Sequence, residues 1–196
     1  MIDRRIFVAT SLAALTAAPA AAQAAFTTIF DGKSLDGWTK LGDTNVALVD
    51  GTATADKGNG HLVWKDQYGD FELKAEIWTS EDANSGIFVR FPDKQKPGSK
   101  DGYEFNIFDK RPDPTYGTGA IVDVAKSAVP IVAAGKWNTM EIICKGAELT
   151  FKLNGQTTVD KVSNVANSHT SAMRGYISLQ FGGGTVKFRN IQIRAL

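Results

Sequence analysis

The sequence predicts an all-β protein folded as a single antiparallel β-sandwich. Short segments alternate apolar and polar side chains, glycines and Asn-Gly or proline-bearing stretches separate them, and no segment of useful length repeats with helical period. With 19 Gly and 43% hydrophobic residues, the chain of 196 residues has the make-up of a turn-rich globular domain rather than a disordered one.

Each element follows from its own pattern. Residues 71–78, Phe71-Glu72-Leu73-Lys74-Ala75-Glu76-Ile77-Trp78, alternate strictly and read as a half-buried strand. Residues 86–91 and 103–108 are two more, joined by a Lys- and Pro-bearing loop at 92–102. Residues 136–145 lead through Gly146 into 148–153, where Asn154-Gly155 supplies a type I′ hairpin turn into 156–159. Residues 176–181 and 186–193 end the chain, parted by Gly182-Gly183-Gly184. Only residues 124–129 have any helical character. Eight or more short strands with turns between them make a sandwich.

Residues 1–25 are expected to be an export signal, leaving one domain at 26–196. Arg4-Arg5 precedes a mostly apolar run at 6–18, and residues 19–25 are small and of cleavage-site type. The apolar run falls short of the ~20 residues that a spanning helix needs. Asp3-Arg4-Arg5-Ile6-Phe7-Val8 resembles a twin-arginine signal, which points to the bacterial periplasm and a mature protein without a membrane anchor. Removing Asp3, Arg4 and Arg5 leaves 20 basic and 20 acidic side chains, a neutral balance unsuited to a nucleic-acid partner. Cys144 stands alone, so no internal disulfide forms, and it reads as core filler rather than nucleophile.

Four segments in order carry a family resemblance: Phe30-Asp31-Gly32-Lys33-Ser34-Leu35-Asp36-Gly37-Trp38, Asn84-Ser85-Gly86-Ile87-Phe88-Val89-Arg90, Gly102-Tyr103-Glu104-Phe105-Asn106-Ile107-Phe108-Asp109, and Val186-Lys187-Phe188-Arg189-Asn190-Ile191-Gln192-Ile193. Together they resemble the 3-keto-disaccharide hydrolase family, formerly a domain of unknown function. The resemblance implies a concanavalin A-like jelly roll, export, and action on sugars oxidised to a ketone at carbon 3.

Strand parity places the candidate side chains. Ile87 and Val89 share one face of their strand, which leaves Phe88 and Arg90 on the other. Phe105 and Ile107 likewise leave Glu104, Asn106 and Phe108 opposite, and Ile177, Leu179 and Phe181 leave Ser178 and Gln180. The expected site is a polar floor of Arg90, Glu104, Asn106 and Gln180 with Phe88 and Phe108 as aromatic walls, a surface suited to an oligosaccharide or glycoside. The competing structural reading is an Arg90–Glu104 cross-strand ion pair. Asn84 and Tyr103 join the substrate-binding candidates, Asn84 having a second reading as a turn residue. His61 and His169 read as loop histidines.

A retaining glycosidase pair is not expected from Glu104 and Asp109. Five strand residues span roughly 16 Å, against about 5–5.5 Å between the carboxyls of such a pair. A 3-keto sugar asks for less: one base for the acidified C2–H, one donor for the enolate oxygen and one acid for the leaving group. Glu104 is assigned the base, Arg90 the enolate donor, and Asp109 or Tyr103 the leaving-group acid. No motif calls for a cofactor, no metal-ligand spacing is present, and a divalent ion stays open. Family members often read L-Q-x-H-G where this chain reads Leu179-Gln180-Phe181-Gly182-Gly183, so Gly182 stands at the His position. That departure sustains two alternatives to the enzyme reading: a carbohydrate-binding module or lectin without turnover, and a structural or partner-binding sandwich.

Overall fold

The computed structural model describes residues 24–163 and 172–196. The expected export signal, apart from its last two residues, lies outside the described residues, as does His169. In chain order the strands are β1 (Thr27–Phe30), β2 (Trp38–Gly42), β3 (Ala47–Val49), β4 (Thr52–Ala55), β5 (Gly60–Trp64), β6 (Phe71–Thr79), β7 (Ser85–Phe91), β8 (Tyr103–Ile107), β9 (Trp137–Lys145), β10 (Glu148–Leu153), β11 (Gln156–Ser163), β12 (Tyr176–Phe181) and β13 (Val186–Ala195). They build two antiparallel sheets. One has eight strands in the order β11-β10-β9-β6-β13-β4-β3, with β1 also paired to β13, and the other has five in the order β2-β5-β12-β7-β8. The fold is all-β, a two-sheet jelly roll. Residues 124–129 form no helix; a single 3₁₀ turn, Pro114–Tyr116, is capped by the Asp113 side chain.

Alternation does the sorting between core and surface. On β6, Phe71, Leu73, Ala75 and Ile77 are buried while Lys74, Glu76 and Trp78 are half-buried on the outer face. Inward side chains of the two sheets meet edge to face, Phe105 on Phe151 with centroids 5.3 Å apart and Phe181 on Phe188 at 5.6 Å. The β10–β11 hairpin turns through Asn154 and Gly155 at φ 53° and 76°, the two left-handed residues of a type I′ turn.

Bulges break the parity, two of them on β13 and β7. On β13 the register against β6 slips between Arg189 and Gln192, with Asn190 at φ 51°, so Phe188 and Ile191 both face the core. On β7 the register against β12 slips between Tyr176 and Ile177, with Arg90 at φ 59° as the extra residue. Arg90 therefore turns inward, and Phe91 comes to the outer face beside Phe88, Val63 and Tyr176. Gly175 fits under this bulge, where a Cβ would stand 2.4 Å from the Arg90 carbonyl carbon.

Candidate functional site

The outer face of the five-stranded sheet carries two continuous cross-strand rows. One runs Leu41–His61–Gln180–Gly86–Asn106 and the next Thr39–Val63–Ser178–Phe88–Glu104, across β2, β5, β12, β7 and β8. Directly opposed residues lie about 4.5–5.5 Å apart at Cα, so the polar members are neighbours. Gly86 stands between Gln180 and Asn106, and the backbone of β8 comes so close there that a Cβ would stand 2.7 Å from the Phe105 carbonyl oxygen.

Glu104 is the charged group of this face, with 7% of its surface exposed. Its carboxylate accepts no hydrogen bond among the described residues, and burial raises its pKa from 4.5 to about 7. Arg111 opposes that rise and Asp123 adds to it through charge alone. A carboxyl that exchanges its proton near neutrality is equipped for acid–base work.

Three amide side chains of this region carry buried oxygens without a hydrogen-bond partner. Asn106, fully buried, donates through Nδ2 to the Tyr116 carbonyl at 2.6 Å, while its Oδ1 is unpaired. Gln180 Oε1 and Asn84 Oδ1 are buried and unpaired too. Asn84 sits at the end of β12, its carbonyl accepting from Gly182 N at 2.9 Å. Buried acceptors left open cost stability; each of these oxygens is covered in this structure, so a hydroxyl donor reaches it only as the side chain turns outward.

His61 belongs to this site, contrary to its reading as a loop histidine. β5 directs it to the outer face, where Nδ1 lies 3.2 Å from Ser178 Oγ and the ring meets Phe88 edge to face at 5.1 Å. Burial lowers its pKa from 6.5 to about 4. The run His61-Leu62-Val63-Trp64 held the signal, since an inward Leu62 puts His61 and Val63 outward.

Several expected members are elsewhere. Arg90 is fully buried between the sheets: Nε and Nη2 donate to the Gly69 carbonyl at 3.1 and 2.8 Å, Nη1 to the Gly146 carbonyl at 2.8 Å, and Nη2 to Asp70 at 3.1 Å. It neither pairs with Glu104 nor lies on the outer face of the sheet, because the bulge turns it over. Tyr103 is fully buried in the main core, sharing the inward parity of Phe105. Asp109 fastens a loop, accepting from Thr118 Oγ1, from Ala133 N at 3.0 Å and from Ala134 N at 2.8 Å. Its oxygens are thereby engaged away from Glu104. Phe88 is 4% exposed and packs against His61 rather than forming an open wall, while Phe108 is half-buried.

This sheet face sits within a recognised domain. The model of the 3-keto-alpha-glucoside-1,2-lyase-like domain matches residues 25–194. The chain belongs to that family. A 3-keto-disaccharide hydrolase of Bacteroides thetaiotaomicron is 25% identical over 228 residues, spanning 87% of this chain and 78% of that protein. Among solved structures, a protein of Parabacteroides distasonis superposes with TM-score 0.75 at 18% identity, over 87% of this chain and 94% of that one. The carbohydrate-binding module CBM66 of Bacillus subtilis superposes with TM-score 0.61 at 17% identity, over 81% and 96%. These two likenesses concern the fold.

Within this 3-keto-alpha-glucoside-1,2-lyase-like domain, Gly182 is tightly enclosed. A Cβ there would stand 2.9 Å from the Asn84 carbonyl oxygen and 3.2 Å from its Nδ2. The histidine expected from the resemblance has no room without moving Asn84, and His61 enters the same neighbourhood from the adjacent strand.

Proposed function

We propose that the protein is an exported hydrolase that cleaves the glycosidic bond of 3-keto-disaccharides or 3-keto-glucosides by elimination and hydration, with Glu104 as the base. The observation that carries this reading is the buried Glu104 carboxyl, without a hydrogen-bond partner among the described residues, on the sheet face that also bears Asn106 and Gln180. Family membership and the name of the Bacteroides relative support the substrate class.

The ketone acidifies the C2–H of the sugar. Glu104 takes that proton, and the C–H electron pair becomes the C2–C3 double bond of an enolate. The pair returns from oxygen, the C1–O bond breaks, and the leaving oxygen collects a proton from water. Water then adds to C1 of the enone and gives a proton to solvent, while Glu104, whose proton exchanges with solvent in the interval, protonates C2. The net reaction is hydrolysis, and Glu104 ends as it began. Asn84, Asn106 and Gln180 accept from the hydroxyls that hold the sugar in place.

The test is to incubate the purified protein with a 4-nitrophenyl 3-keto-glucoside beside the unoxidised glucoside. Release from the keto sugar alone, with C2 deuterium exchange in heavy water, is the expected result. Binding without release makes the protein a carbohydrate-binding module instead. Export is tested separately: replacing Arg4 and Arg5 by Lys should retain the protein in the cytoplasm, and undiminished export of that variant leaves only the general secretion route.

A further inference from the structure

We propose that Val122 is the positioning residue for Glu104: with Phe88 it walls the carboxyl on both sides and keeps water from it, so that Glu104 acts as a base rather than as a solvated surface carboxylate. This rests on the elimination reading above. Val122 acts through Glu104 and donates nothing to the sugar.

The placement follows from backbone register. The chain returns along the outer edge of β8, where Asn106 N donates to the Ala120 carbonyl at 2.9 Å and Val122 N to the Glu104 carbonyl at 3.0 Å. Phe105 and Ile121 form an antiparallel bridge between those two bonds. That register sets Val122 opposite Glu104, with Cα atoms about 4.5–5.5 Å apart. Phe105 and Ile121 both belong to the core between the sheets, so Val122 shares the outer face with Glu104. Val122 is 4% exposed, yet it is not a member of that core. On the other side of Glu104, Phe88 of β7 stands directly opposite and is equally buried. The outward row therefore reads Phe88–Glu104–Val122, one carboxyl between two apolar side chains. A tight turn holds Val122 in place: Ile121 and Ala125 exchange hydrogen bonds of 2.9 Å each, with Asp123 at φ 59°.

A carboxylate is stable where water or hydrogen-bond donors surround it, and neither hydrocarbon neighbour offers a donor. Burial is the largest cause of the tighter proton binding at Glu104. Arg111, in the loop after β8, opposes it by charge, and Asp123, just past Val122, adds to it. Those two charges work in opposite directions, which leaves the apolar walls to decide the outcome. The other titratable groups of this face are placed elsewhere. Tyr176 packs on Phe91 with ring centroids 6.1 Å apart, and His61, kept neutral by burial, meets Phe88 from the side of β5. Ser178 of β12 is opposite Phe88 and does not ionise.

Two substitutions breach the wall. Val122→Thr nearly keeps the side-chain volume and brings a hydroxyl to the carboxyl, and Val122→Ser also admits water. Both should lower the pH at which Glu104 titrates by at least about one unit. The titration is read by ¹³C NMR of protein labelled at the glutamate carboxyl carbons, the Glu104 signal being the one that Glu104→Gln lacks. The midpoint of kcat/KM against pH on the 4-nitrophenyl 3-keto-glucoside should fall with it. The plateau at high pH should drop by about threefold, because a weaker base takes the C2 proton less readily. Val122→Ile keeps the wall apolar and should titrate as wild type does. A purely structural role for Val122 would change unfolding and leave both midpoints in place. A Glu104 midpoint within about 0.3 pH unit of wild type in Val122→Thr and Val122→Ser overturns the assignment, as does a Val122→Ile midpoint displaced as far as theirs. If Val122→Ser does not fold, Val122→Thr decides alone. Wild-type protein that releases no nitrophenol overturns the elimination reading, while the carboxyl titration still decides whether Val122 keeps Glu104 dry.

Discussion

Arg90 and Glu104 stand on neighbouring strands, β7 and β8, with 0% and 7% exposure, and they have opposite fates. Arg90 donates from three nitrogens to two backbone carbonyls and Asp70, tying the five-stranded sheet to the start of β6 and to the β9–β10 turn. Glu104 has no hydrogen-bond partner among the described residues and feels only the charges of Arg111 and Asp123. A buried charge with every partner in place holds the fold together. One without partners keeps a proton that is easy to move, and its burial lowers stability instead of raising it.

The largest effect expected from this contrast is on stability at Arg90. Arg90→Met leaves the Gly69 and Gly146 carbonyls without donors between the sheets and should destabilise the protein by about 3–5 kcal/mol in urea unfolding. Arg90→Lys keeps the charge but cannot reach both carbonyls with a planar fork, so it should lose a large part of the same stability. If both variants unfold within about 1 kcal/mol of wild type, the clamp is not what joins the sheets.

Glu104→Gln should do the reverse, losing activity while gaining stability. Turnover of a 3-keto-glucoside should fall by at least about 10²-fold. The wild-type carboxyl binds its proton more tightly folded, with a pKa of about 7, than at its ordinary value of 4.5. Its stabilising contribution is thus complete below pH 4.5 and is lost as pH rises to about 7. Above that the folded state carries a cost of order 3 kcal/mol, which the amide does not. Glu104→Gln should therefore unfold at higher urea than wild type at pH 8, with the two converging near pH 4.5. Wild-type kcat/KM should climb as pH rises through about 7 and then level, because the base form is the active one. A Glu104→Gln protein less stable than wild type at pH 8 contradicts the desolvation of this carboxyl.

The difference between the two residues also marks what the sequence could tell. Alternation on residues 71–78 put Phe71, Leu73, Ala75 and Ile77 in the core, and the same logic put Glu104, Asn106, Ser178 and Gln180 on the opposite face of their strands. Asn154-Gly155 named its turn because the type I′ geometry needs two left-handed residues. Parity failed at Arg90, where a one-residue bulge reverses every later side chain on the strand and nothing in Val89-Arg90-Phe91 announces it. His61 was missed for another reason. Its strand is short and follows the turn residues Gly58-Asn59-Gly60, so the histidine looked like part of the loop. Asp109 is held by backbone N–H groups 24 and 25 residues away, a contact that no local pattern encodes.

The smallest effect separates two buried amides by the same rule. Asn138 is 1% exposed and fully used: Nδ2 donates to the Ala133 carbonyl at 2.7 Å and the Lys136 carbonyl at 2.9 Å, and Oδ1 accepts from Asn154 at 2.9 Å. Gln180, on β12, leaves its buried Oε1 without a partner. Gln180→Met removes an acceptor that no protein group uses, so unfolding should be unchanged or slightly harder. Its cost falls on binding: one lost hydrogen bond to a sugar hydroxyl, about 0.5–1.5 kcal/mol, raises KM roughly 3–10-fold with little change in kcat. Asn138→Met should do the opposite, weakening the fold by about 1–3 kcal/mol and leaving KM alone. If Gln180→Met leaves KM unchanged, or destabilises the protein as much as Asn138→Met, its oxygen serves the fold, and the sugar is held by Asn84 and Asn106 without it.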